Sequence, residues 1–118
     1  MIAVDTNLLV YAHREDAAHH RAARAVIAGL AESPATWAIP WPCVHEFLAV
    51  VTHPRIWTRP TPMTKALDQV DAWIESPGIA LLTETAAHWR TLRDLVQASR
   101  VDGPRVHDAR VAALCLQH

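Results

Sequence analysis

Ile2-Ala3-Val4-Asp5-Thr6-Asn7-Leu8-Leu9-Val10-Tyr11-Ala12 passes from a short apolar run, through three polar residues, into a second apolar run. A short apolar run that stops abruptly has the pattern of a buried strand. Asp5, Thr6 and Asn7 can each accept a hydrogen bond from the free N–H groups at a helix start. The segment therefore predicts a strand, a cap and a short helix over Leu8 to Tyr11. Asp5 then ends a buried strand, and in open α/β sheets ligands bind outside the carboxyl ends of the strands.

The rest of the chain repeats this alternation. Asp16 can cap a second helix over about Ala17 to Glu32, with Ala22, Val26 and Leu30 at helical spacing. Ser33-Pro34 ends it, and Trp37-Ala38-Ile39 predicts a second strand. Pro42 fits the first turn of a third helix. Its Val44, Phe47, Leu48 and Val51 recur at i, i+3, i+4 and i+7, and His53-Pro54 closes it. Arg55 to Pro62 reads as an irregular basic loop holding Trp57. Thr64 can cap a fourth helix with Leu67, Val70 and Ile74 on one face, stopped by Pro77-Gly78. Ile79 to Leu82 predicts a third strand. A fifth helix follows over about Thr85 to Ser99, with Trp89, Leu92 and Val96 inward, and a sixth over Val106 to His118. Short strands alternating with helices predict an α/β fold, a parallel sheet covered on both faces in three α/β/α layers.

With 118 residues, 51% of them apolar, the chain suits one compact domain over residues 1–118. The formal net charge of −1 carries no global nucleic-acid signature, so any such contact needs a local patch. Cys43 and Cys115 form no metal or redox spacing and read as small buried hydrophobes. No signal-like N-terminus and no apolar run of about 20 residues is seen, so the cytoplasm is the expected location, with no membrane partner. His45-Glu46-Phe47-Leu48-Ala49 begins like H-E-x-x-H, but Ala49 stands at the second ligand position, so the zinc motif fails.

Three acids stand where chemistry is expected. Asp5 ends the first strand, Glu46 lies early in the third helix, and Asp108 lies in the first turn of the sixth on a stripe with Val111, Ala112 and Cys115. Each has a plainer role, because an acid near a helix N-terminus complements the helix dipole. The chemical reading rests on their gathering at the carboxyl edge of the sheet. Gathered carboxylates repel, and a hard divalent cation, Mg²⁺ or Mn²⁺, relieves that repulsion. Such an ion can activate water against a phosphodiester.

Three segments carry a family resemblance. The opening stretch resembles the first strand and turn of the PIN-domain family. Pro40-Trp41-Pro42-Cys43-Val44-His45-Glu46-Phe47-Leu48 resembles its second acidic motif, and Val106-His107-Asp108-Ala109-Arg110-Val111-Ala112-Ala113 its third. The motifs occur in family order over essentially the whole chain. The resemblance implies a PIN-like domain with Asp5, Glu46 and Asp108 as catalytic and metal-binding acids, Mg²⁺ or Mn²⁺ as cofactor, and Thr6 and Asn7 in support. It also implies a VapC-type endoribonuclease toxin with RNA as substrate, a VapB-type antitoxin as partner, and a homodimer.

The sequence departs from the family at its end. The family continues into a further strand that begins with a fourth acid, whereas this chain closes at Cys115-Leu116-Gln117-His118, still in helical pattern. The expected sheet therefore lacks its last strand or strands, and Ile2-Ala3-Val4 should present an open edge that recruits another chain. An alternative role follows: a truncated, weakly active or inactive domain that acts by binding antitoxin or by self-association. A haloacid-dehalogenase-type phosphatase also opens with a strand-end aspartate, but it needs a second aspartate where Asn7 stands. Arg55, Arg59 and Lys65, around Trp57, are the candidate RNA contacts, since cations and aromatic rings together suit single strands. The competing reading folds Trp57 onto the core. Arg14, Arg21 and Arg24 read as a solvated helix face.

Overall fold

The structure is a computed structural model that describes all 118 residues. Strand β1 (Ile2–Ala3) is followed by helices α1 (Thr6–His13) and α2 (His20–Glu32), then by β2 (Trp37–Pro40) and α3 (Trp41–Val51). Helix α4 (Met63–Ile74), β3 (Ile79–Leu82), α5 (His88–Ser99) and α6 (Arg105–Gln117) complete the chain. The three strands form one parallel sheet in the order β1-β2-β3, so β1 pairs on one side only. The register sets Ile2 beside Trp37 and Trp37 beside Ile79.

Strand periodicity divides the core between the two faces of the sheet. Val4, Trp37 and Ile39, with Ile79 and Leu81 packed against them, join a large cluster with Leu9, Val10, Ile27, Phe47, Val51, Val70 and Trp73 from α1 to α4. Ala38 and Leu82 face the other way and meet Leu114 of α6 in a much smaller cluster, with Ala80 beside it. These are the three expected layers, with a three-stranded sheet between two helical ones.

The helix starts differ from expectation where side chains found other partners. Asp5 caps α1, accepting from the Leu8 N–H at 3.0 Å, so the helix already begins at Thr6. Asp16 does not cap α2, because its carboxylate is taken by Arg14. Helix α2 starts at His20 and α5 at His88, each about one turn later than predicted.

The inward faces also shift. In α2, Ala23 and Ile27 are buried while Val26 is 50% exposed. An alanine-rich helix offers several apolar stripes, and docking against α1 selects the one holding Ile27. In α4, Ala66, Val70 and Trp73 are buried, and Leu67 and Ile74 are exposed. This rotation sets the Trp73 ring edge-on to Phe47 at 4.8 Å between centroids, a favoured aromatic geometry. Helix α5 packs chiefly on α6 and buries no residue fully, so Trp89 is 69% exposed rather than inward. In α6 the buried residues are Ala109, Ala113 and Leu114, and Cys115 is exposed.

Arg14 is a further correction: it is buried, not part of a solvated face. Its guanidinium binds Asp16, donates to the Arg59 carbonyl at 2.8 Å and to Thr61 Oγ1 at 3.2 Å, and lies 4.1 Å from the centre of the Trp57 ring. Trp57 Nε1 donates to the Val50 carbonyl at 2.8 Å. The loop after α3 is thus pinned to the last turn of that helix. Gly78 supports the turn before β3: a Cβ there would stand 2.2 Å from the Ala35 carbonyl oxygen, so no larger residue fits this approach. No helix is long and apolar enough to cross a membrane.

Candidate active site

Parallel strands aim their carboxyl ends at one edge, and the helices that follow start there. Asp5 directly follows β1 and caps α1. Strand β2 runs into α3 without a loop, with Pro42 in its first turn, which brings Glu46 to the same edge. Asp108 arrives from the first turn of α6, on the far side of the sheet. The three acids line one cavity of about 310 Å³, together with Thr6, Asn7, Cys43, His107, Val111 and Ala112.

Two of these carboxylates are oriented by the protein. Thr6 Oγ1 donates to Glu46 Oε2 at 3.2 Å, and Asp5 Oδ1 is held by the Leu8 N–H. Each therefore keeps its second oxygen free. Asp108 enters none of the three ion pairs of the molecule. Cys43 forms part of the cavity floor. Burial pushes its thiol pKa up, a hydrogen bond with Thr6 opposes this, and the nearby charges of Asp5 and Glu46 add to the rise. The thiol stays protonated at neutral pH and acts as a small apolar residue.

The donor set suits a hard cation, because it offers three carboxylates and a single imidazole, His107, while the Cys43 thiol is buried and held protonated. No three His, Cys, Asp or Glu side chains are drawn together into a tight ligand cage. The acids share a cavity rather than converging on one point.

A second cavity of about 660 Å³ borders the first and shares Glu46, His107, Asp108 and Val111 with it. Its remaining lining includes His45, Arg105 and Arg110. Neither cavity is lined by Arg55, Arg59 or Lys65. These three lie in or beside the loop that Arg14 and Trp57 fasten to the end of α3, whereas the acids gather about its start. Trp57 is packed against the core, with Arg14 over its ring. Sequence reasoning missed Arg105, Arg110 and His45 as groove residues. The signal available was their spacing of three from Asp108, two from Asp108 and one from Glu46.

Residues 2–118 match the PIN domain family. Over all 118 residues the chain is 34% identical to "Ribonuclease VapC43" of Mycobacterium tuberculosis, covering 80% of that protein. The same identity and coverage hold for "VapC ribonuclease Mb2897" of Mycobacterium bovis. "Ribonuclease VapC37" of Mycobacterium tuberculosis is 27% identical over the full chain, which covers 82% of it.

Proposed function

The chain belongs to the PIN-domain family, and from that premise we propose that it is a Mg²⁺- or Mn²⁺-dependent endoribonuclease. In this reading it is the toxin of a VapBC-type toxin–antitoxin pair, acts in the cytoplasm on RNA, and is restrained by a VapB-type antitoxin. The ribonuclease names of its relatives support the activity class. The observation that carries the reading is the meeting of Asp5, Glu46 and Asp108, from three separate elements, in one cavity at the carboxyl ends of the strands.

Each residue has a definable task. Asp5, Glu46 and Asp108 would hold the divalent ion through their free oxygens. When bound, that ion supplies Lewis-acid stabilisation of the phosphodiester and makes water a better nucleophile. Thr6 fixes the Glu46 carboxylate. Asn7, at the cavity wall, offers an amide to the attacking water or to a phosphate oxygen. His107 lines both cavities and would be the imidazole available to give a leaving oxygen its proton. No side chain is placed as a covalent nucleophile, since the Cys43 thiol is buried and protonated.

The test is RNA cleavage by the purified chain with Mn²⁺ or Mg²⁺, with chelator, and with Asp5→Asn, which removes charge while keeping shape. Metal-dependent cleavage that Asp5→Asn abolishes is expected. Cleavage that survives Asp5→Asn or excess chelator overturns the assignment.

A second reading is a domain with little or no turnover that acts by binding antitoxin or a second copy. Two observations favour it: the acids form no tight cage, and the outer edge of β1 is unpaired with Met1 and Ile2 exposed. Open edges recruit strands. Turnover separates the two readings: a chain that self-associates in sedimentation at micromolar concentration but cleaves no RNA with Mn²⁺ or Mg²⁺ is expected in this one, and metal-dependent cleavage counts against it.

A further inference from the structure

We propose that the groove beyond the acid cavity binds an unpaired stretch of RNA, with one base stacked on His45 and an adjoining phosphate met by Arg105. This rests on the RNA-cleaving reading and adds a subsite to it. The cavities lie side by side. The 660 Å³ cavity shares Glu46, His107 and Asp108 with the acid cavity, and it shares Pro42, His45 and Arg110 with a third, of about 220 Å³. Their path runs from Asp5 beyond β1, across the starts of α3 and α6, to Thr83 and Glu84 beyond β3.

The chemistry changes along this path. The end at Asp5 is acidic, the middle adds Arg105, Arg110, His45 and His107 to Glu46 and Asp108, and Trp41 lines the far cavity. His45 is exposed on the groove, and its ring lies nearly parallel to Trp41, 6.1 Å between centroids at 28°. Trp41 is half-buried against the main core and backs the imidazole as a plate. A flat ring held in this way accepts any base face without reading its edge.

The two arginines play different parts. Arg110 is locked to Glu84, with Nε at 3.1 Å and a terminal nitrogen at 3.0 Å from the same carboxylate oxygen, so its charge is largely offset and it acts as wall. Arg105 is exposed and enters no ion pair, which leaves its guanidinium for a phosphate. An acidic peptide could meet Arg105, but it would gain nothing from the His45 plate. A base-paired helix keeps its bases in their own stack and cannot offer one to the plate.

The experiment uses the full chain, a short single-stranded RNA carrying the fluorescent base 2-aminopurine, and EDTA so that binding is read without cleavage. The chain is expected to bind and to quench the fluorophore. His45→Ala should weaken binding about tenfold and remove the quenching, and His45→Phe should restore both. Arg105→Ala should weaken binding and lower the salt dependence by about 0.7 in log–log slope, one phosphate contact. The same sequence as a duplex should compete poorly. Binding is read in EDTA, without metal or turnover, so a failed cleavage assay does not touch this result. The proposal is overturned if the parent binds no RNA, if duplex binds equally, or if His45→Ala binds and quenches as the parent does. Loss with Arg105→Ala alone would assign the groove to an acidic polymer instead. Circular dichroism of each variant excludes unfolding as the cause.

Discussion

Thr6 and Glu46, forty residues apart in the chain, are joined by a 3.2 Å hydrogen bond from the Thr6 hydroxyl to Oε2 of the carboxylate. The bond links the start of α1 to the second turn of α3 at the point where both helices meet the acid cavity. Thr6 is buried, so its methyl group packs while its hydroxyl works.

Thr6→Val keeps the shape and removes the donor. Hydrogen bonds of this kind contribute about 1 kcal/mol net, and the variant is expected to lose roughly that in urea unfolding. Cleavage should fall more than stability, by about tenfold or more, because a freely rotating Glu46 no longer presents its oxygen. Thr6→Ser should recover most of the activity. Equal cleavage by Thr6→Val and the parent would show that the bond has no part in the chemistry.

Arg14 should be among the most sensitive polar positions. Arg14→Ala leaves the Arg59 carbonyl and the Thr61 hydroxyl without their donor and uncovers Trp57, at a cost of about 2–4 kcal/mol. Its effect on Asp16 is visible against pH. The Arg14 hydrogen bond holds the Asp16 carboxyl below its usual range, with desolvation opposing and the Arg14 charge assisting. A depressed folded-state pKa gives stability that is fully present above the unfolded pKa and is lost as pH falls through the folded one. The difference in unfolding midpoint between the parent and Asp16→Asn should therefore hold at neutral pH and vanish on the acid side of about 3.9. A difference constant down to the lowest pH would show that the pair does not form.

Two tryptophans test the helix faces. Trp73, 5% exposed, is in the core against Phe47, and Trp73→Ala should cost about 3–5 kcal/mol. Trp89 is 69% exposed, and Trp89→Ala should stay within about 0.5 kcal/mol. Urea midpoints of the two variants check this directly, and similar losses would mean that α5 is buried.

The thiols should separate by access. Cys43 is 1% exposed and its thiol pKa is pushed up by burial, while Cys115 lies exposed on α6. Burial raises the Cys115 pKa as well, so its reaction is slowed without being blocked. Ellman's reagent at mildly alkaline pH should count one thiol per native chain and two in urea. Two fast-reacting thiols in the native state would place Cys43 at the surface.

What could be read from the chain before its structure was the framework. Proline set the clearest boundaries: Pro34, Pro42, Pro54 and Pro77 each stand where an element starts or stops, and each acts through its own backbone constraint. Helix faces were less legible. In α2 and α6 alanine fills so many positions that several stripes are nearly equivalent, and the neighbouring helix chooses among them. Arg14 read as solvated because its partners, Arg59 and Thr61, lie more than forty positions away. The acids were legible because carboxylates interrupt apolar patterns. The cations nearest them were not, because Arg105 and Arg110 look like any polar helix face until α6 is docked beside α3. The loop of Arg55, Arg59 and Lys65 carried the stronger local charge signal but is fastened elsewhere.

The unequal division of the core has a kinetic consequence. Asp5 and Glu46 stand on the face held by thirteen buried residues, whereas Asp108 and Arg105 ride on α6, which meets the sheet mainly through Leu114. Segments with few buried apolar contacts open locally long before the molecule unfolds. Amide hydrogens of α5 and α6 should thus exchange with deuterium sooner than those of α3, and each opening would carry Asp108 out of the cavity while the other two acids stay in position. A ligand that spans the cavity would close this breathing, so protection of the α6 amides gives a readout of occupancy that requires no turnover.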